Sequence, residues 1–164
     1  MNEKEYLDKI EIFLKENGFK TWREVIPDQC INWKEPYRVD LIFWGEEIGY
    51  TACEAKYFNS LRQGAKIAQT IEQIKKYNKL TYLKGIVIER WCLILGNHYD
   101  SISMSNSVIK TENDGIKSFL RPFLIYYGLN FLEYYENKHN PRWNKITINK
   151  NNKGSIFIKK EETI

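Results

Sequence analysis

Three residues in this sequence have the types and spacing to do chemistry: Asp40, Glu54 and Lys56. Asp40 lies inside YRVDLIFW, between Val39 and Leu41. A carboxylate in so apolar a strand is costly unless something compensates it. Glu54 and Lys56 are two apart in YTACEAKYF, so on a strand they share a face. A hairpin joining the two segments sets that face beside Asp40. Two carboxylates about 4 Å apart repel by about 4 kcal/mol at an effective dielectric of about 20. A divalent cation turns that repulsion into affinity, and hard oxygen ligands favour Mg²⁺ or Mn²⁺. A neighbouring lysine can orient or help deprotonate a water and steady a phosphate. Together they are equipment for phosphodiester hydrolysis.

The elements that must position these residues are legible from pattern. Tyr6, Ile10, Phe13 and Leu14 recur at helical spacing and predict a helix over 4–17, with Gly18 as its C-terminal cap. A strand is predicted over 19–26, ended by Pro27, and further strands over 37–44 and 50–58, joined by a tight connection at 45–49. Asn59 or Ser60 caps a second helix reaching about Asn78. The apolar run IVIERWCLIL after Gly85 reads as a buried central strand. The order helix, three strands, helix, strand predicts an α/β sandwich with a mixed sheet. Residues 97–114 read as a loop, 116–135 as a third helix kinked at Pro122 and Gly128, and KITINK and SIFIKK as a closing hairpin. The expectation is a single domain over 1–164, with a core of about 1–96 and a helix-plus-hairpin extension of about 97–164.

Asp40, then Glu54-Ala55-Lys56, then a helix, resembles the PD-(D/E)xK nuclease superfamily, which includes type II restriction enzymes, archaeal Holliday-junction resolvases and RecB-type nucleases. The resemblance implies a restriction endonuclease-like α-β-β-β-α-β core. It implies a Mg²⁺- or Mn²⁺-dependent nuclease acting on DNA, with Asp40, Glu54 and the Ala55 carbonyl as metal ligands and Lys56 as the catalytic lysine. Glu24, ending the first predicted strand, matches the extra acidic residue that many members place near the metal. Gln73-Ile74-Lys75-Lys76-Tyr77 matches the Q-x-x-x-Y motif of RecB-type members. Gln73 and Tyr77 share a helix face and are candidates to touch substrate or support the lysine, with Gln69 competing one turn earlier. The sequence departs from the family pattern at Val39, where a proline would precede the aspartate. A literal Pro-Asp at Pro27-Asp28 falls in the predicted loop and is not taken as the site. Three scattered cysteines cannot supply the four ligands of an iron–sulfur cluster.

The charge pattern fits a polyanionic partner. The 164-residue chain carries a net +4, but from position 138 onward seven Lys/Arg face only Glu161 and Glu162, so the tail holds +5 and the body −1. Arg38, Lys66, Tyr77 and Lys145 are the candidate nucleic-acid contacts; for Arg38 a structural pairing with Asp40 competes. Cys53 points away from Glu54, into the core. His98 and His139 are assigned no role. No apolar run suffices to span a bilayer and no signal peptide is visible, so no membrane partner and a cytoplasmic, reducing setting are expected. A nuclease cutting both strands of a duplex is often a symmetric dimer, and the aromatic stretch 116–135 is the candidate interface for a homodimer. Two other readings compete: a catalytically inactive DNA-binding module on the same fold, and a structural or assembly protein. An E-x-K triplet alone also suits a surface strand with a cross-strand ion pair.

Overall fold

The computed structural model describes residues 3–58, 64–97, 122, 126–137, 139–149 and 155–159. The first helix, α1 (Glu3–Glu16), buries Tyr6, Leu7, Ile10, Phe13 and Leu14 on one stripe. Glu3 and Glu5 in its first turn and Lys15 in its last complement the helix dipole. Gly18, at φ 84°, closes the helix: its N–H reaches the Lys15 carbonyl, and the Phe19 N–H reaches the Leu14 carbonyl at 3.0 Å.

A seven-stranded mixed sheet follows. Its strands are β1 (Lys20–Val25), β2 (Val39–Gly45), β3 (Gly49–Phe58), β6 (Arg90–Asn97), β7 (Asn130–Tyr135), β8 (Lys145–Asn149) and β9 (Ser155–Lys159), hydrogen-bonded in that order. The β3–β6 and β6–β7 pairs are parallel; the other four are antiparallel. The crossover from β3 to β6 runs through α2 (Gly64–Tyr77) and a separate two-stranded ribbon, β4 (Thr81–Tyr82) and β5 (Ile86–Val87).

The sheet is covered on both faces. Against α1 lie Leu41, Phe43, Cys53, Ala55, Cys92, Ile94, Leu132, Tyr134, Ile146, Ile148 and Ile158. The opposite face packs Ile42, Ala52, Leu93 and Phe131 against Ile71, Ile74 and Tyr77 of α2 and against Tyr82 of the ribbon. Along β3, Cys53 and Ala55 face α1, so Glu54 and Lys56 fall on the α2 side; on β2, Leu41 and Phe43 face α1 while Val39, beside Asp40, packs on the α2 side. Phe19 closes the α1 face at the β2–β3 turn. A Cβ on Gly45 would collide with its ring, so a side chain there would have to displace Phe19. Cys30, Cys53 and Cys92 are all free and fully buried. No helix among the described residues is long and apolar enough to cross a membrane.

Three expectations from sequence change. The stretch taken as one helix over 116–135 contains a strand, β7, because Gly128 at φ 69° ends the helical residues Tyr126 and Tyr127. The predicted strand after Gly85 is two strands: Ile86 and Val87 pair back on β4, and β6 begins at Arg90. The closing hairpin is present as β8 and β9, but it extends the main sheet through β7. Of the loop read over 97–114, Asn97 ends β6 and the rest lies outside the described residues.

Candidate active site

The β2–β3 backbone ladder runs from Gly45–Gly49 to Leu41–Cys53 and stops. Continuing that register sets Asp40 opposite Glu54, and there side chains take over from backbone. The Ala55 N–H donates to Asp40 Oδ2 at 2.8 Å, and the Asp40 N–H donates to Glu54 Oε1 at 3.4 Å. Each carboxylate thus meets a backbone donor of the facing strand.

Both carboxyl groups are held above their usual range. Burial, together with the Asp40 charge, pushes Glu54, only 3% exposed, up to about 9. Burial also raises Asp40, against the Ala55 N–H, the Glu54 hydrogen bond and the Lys56 charge, which all lower it. Burial and the neighbouring Asp40 charge thus favour the protonated form of Glu54 at neutral pH. Lys56 favours ionisation of both. It is half-buried and lies on the same face as Glu54.

Below the pair sits Tyr77. Its ring packs 5.1 Å from that of Tyr37, and its backbone carbonyl accepts the Tyr82 hydroxyl. Burial, then the charges of Glu54 and Asp40, push the Tyr77 phenol up to about 12, so it stays a neutral donor beside the carboxylates. Gln73 is one turn earlier and half-buried, while Gln69 is exposed.

The remaining sequence candidates fall in different places. The β1–β2 register runs Arg23–Leu41 to Val25–Val39, with Glu24 between them opposite Asp40. No rung forms there: Glu24 adopts φ 49° and its side chain is exposed. The acidic group whose charge reaches Asp40 besides Glu54 is instead Glu3, at the start of α1. Its cue was topological. A helix leading into β1 and returning through β2 must start at the sheet end where β2 begins, which is where Asp40 lies. Arg38 precedes β2 and is exposed, with no ion pair to a described residue. Lys66 falls in the first turn of α2, and its side chain is outside the described residues. Lys145 lies at the far end of the sheet, over Tyr135 and Phe157.

Asp28 has a structural task. Its carboxylate accepts from the Thr81 hydroxyl at 2.8 Å and from the N–H groups of Lys84 at 3.0 Å and Gly85 at 2.8 Å. It clamps the β4–β5 turn, where Leu83, Lys84 and Gly85 all have positive φ.

Among the described residues no three His, Cys, Asp or Glu side chains are gathered as a metal site. Mg²⁺ does not need three, since it keeps several waters and binds through one or two carboxylates. The Asp40–Glu54 pair fits that demand: two adjacent carboxyl groups whose ionisation burial opposes gain from a cation between them. No protein-family model matches the chain, and no curated protein or solved structure matches it.

Proposed function

We propose that this protein is a metal-dependent nuclease of PD-(D/E)xK type, hydrolysing phosphodiester bonds in DNA on a restriction endonuclease-like core. One observation carries the reading. Half-buried Asp40 and buried Glu54 are opposed on adjacent strands, each held by a backbone donor of the facing strand, with Lys56 on the same face as Glu54.

Asp40, Glu54 and the Ala55 carbonyl are the ligands for Mg²⁺ or Mn²⁺. The bound cation supplies charge neutralisation at the scissile phosphate and a more acidic water. Lys56 orients the attacking water and faces the phosphate charge. Gln73 and neutral Tyr77 support these groups from α2. Glu3 keeps the site acidic from α1, and Glu24 is a peripheral acidic residue. Arg38, Lys66 and Lys145 supply positive charge to the DNA backbone. A homodimer places two such sites on the two strands of a duplex. Three buried free thiols accord with a reducing, cytoplasmic setting.

The test is incubation of the full chain with labelled linear, nicked, flap and four-way-junction DNAs, in Mg²⁺, Mn²⁺ or EDTA. Cation-dependent cleavage that Asp40→Asn abolishes supports the reading. Binding without cleavage in any cation leaves a DNA-binding module, and neither activity leaves an assembly protein.

A further inference from the structure

The α2 side of the sheet carries a second feature, at its opposite edge. Along β7, β8 and β9 the inward residues Ile146, Ile148 and Ile158 are buried against α1, so Tyr135, Lys145, Thr147, Phe157 and Lys159 lie on the face shared with Glu54 and Lys56. Lys145 Nζ stands 5.7 Å from both the Tyr135 and the Phe157 ring centres, and Lys159 Nζ stands 5.7 Å from Phe157. Phe157 is 54% exposed. Trp143, at the entry to β8, is 62% exposed. The acidic residue of these three strands, Glu133, is engaged by Asn149 Nδ2 at 3.3 Å. The face therefore presents open rings and cations together.

We infer that the Tyr135–Lys145–Phe157–Lys159 face of β7–β9, open at Phe157 and Lys159, is a stacking platform for single-stranded DNA that leads into the Asp40–Glu54 site. The occupant follows from the chemistry. A duplex hides its bases and offers a protein mainly phosphates, which lysines alone would satisfy. Open rings interleaved with lysines suit unpaired bases, each with a π-face and a phosphate. The proposal rests on the nuclease reading for the identity of the nucleic acid and names its substrate: a strand that is single on this side of the cut.

The ladders also give a distance. Carried outward from β3, the row of Lys56 passes Leu95 of β6, Glu133 of β7 (continuing the β6–β7 register by one rung) and Thr147 of β8 and arrives at Phe157 of β9. Four strand steps of about 4.8 Å put Phe157 roughly 19 Å from Lys56. At about 3.4 Å per stacked nucleotide that spans about five to six nucleotides.

The test measures binding of the full chain, in EDTA, to oligothymidine and to a duplex of equal length. Phe157→Ala should weaken oligothymidine binding at least about fivefold while leaving duplex binding nearly unchanged, and Phe157→Tyr should restore it. Lys145→Ala should weaken both and flatten the salt dependence, by about 0.7 in the slope for each single-strand phosphate lost. A folded Phe157→Ala protein, judged by its thermal melt, that binds oligothymidine normally would overturn the platform. So would equal losses on strand and duplex, or sedimentation showing that Phe157→Ala dissolves a dimer joined at β9. Because EDTA suppresses metal-dependent cleavage, these outcomes are independent of the nuclease reading. Strand-selective binding without catalysis in Mg²⁺ would remove the nuclease alone, and cleavage without strand-selective binding would remove the platform alone.

Discussion

Asp40 and Glu54 face each other across the β2–β3 ladder at the point where its backbone pairing ends, and the Asp40 N–H donates to Glu54 Oε1 at 3.4 Å. Hydrogen bonds from the strand ends hold two carboxyl groups together that would otherwise repel. The pair is costly for the metal-free fold.

Asp40→Asn, Glu54→Gln and Lys56→Met should each abolish cleavage in labelled-DNA assays while leaving binding nearly intact. Losing a carboxylate lessens repulsion of phosphate, so binding by the first two should equal or exceed that of the parent protein. Full cleavage by Asp40→Asn would remove the site assignment.

Stability of the metal-free protein should fall as pH rises. Glu54 is pushed up to about 9 in the fold, from an ordinary value of 4.5, so between those values the folded state holds a proton that the unfolded chain has lost. Its stabilising contribution is complete below about 4.5 and is lost as pH rises through about 9. Asp40, also raised, adds in the same direction. Glu54→Gln should flatten this dependence in thermal melts across pH; an unchanged slope would mean that Glu54 is not held protonated.

Mg²⁺ or Mn²⁺ should reverse that trend. Binding requires ionised carboxylates, so the cation should raise the melting midpoint more at high pH than at low pH. The Asp40→Asn protein should show no such rise. Cleavage should vanish in EDTA and weaken in Ca²⁺, whose coordination is looser.

The helix behind the site should separate into two roles. Tyr77→Ala removes a buried ring packed on Tyr37 and should cost about 3 kcal/mol in denaturant unfolding. Gln73→Ala should leave stability within about 0.5 kcal/mol and lower the cleavage rate, with a smaller effect from exposed Gln69→Ala. Equal, negligible rate losses would reduce the Q-x-x-x-Y spacing to coincidence.

Asp28→Ala should behave oppositely to the site variants: full cleavage, with about 1 kcal/mol lost from stability as the β4–β5 turn loses its acceptor. Burial tends to raise the Asp28 carboxyl, but the Thr81 hydroxyl and the Gly85 and Lys84 N–H groups outweigh it and hold it below its ordinary value. Its contribution is therefore present above the ordinary carboxylate range and is lost as pH falls through the folded value. Acid titrations of parent and variant should converge at low pH.

Sequence pattern went furthest where one physical signal dominated. Alternation in β3 put Glu54 and Lys56 on one face, and the hairpin reading set Asp40 beside Glu54, where the two strands' hydrogen bonds hold it. It misread 116–135, because β7 is buried on both faces at Phe131 and Leu132 and a short apolar run does not distinguish strand from helix. Glu24 drew attention by its place at a strand end, but its positive φ depends on backbone geometry that residue type does not reveal. Glu3 was missed because an acidic first turn looks the same whether it serves the helix dipole or a neighbouring carboxylate.

The buried cysteines have a practical consequence. Cys53 and Cys92 are ladder partners in the layer beneath α1, whereas Cys30 lies near Tyr77 and Tyr82 on the other side of the sheet. All three are fully buried, and burial pushes the Cys53 thiol well up, so a thiol-reactive dye gains access only when the surrounding layer opens. The chain thus carries its own clocks: labelling at Cys30 times the opening of one layer, and labelling at Cys53 and Cys92 times the other. A cation held by the next residue, Glu54, should slow the second clock.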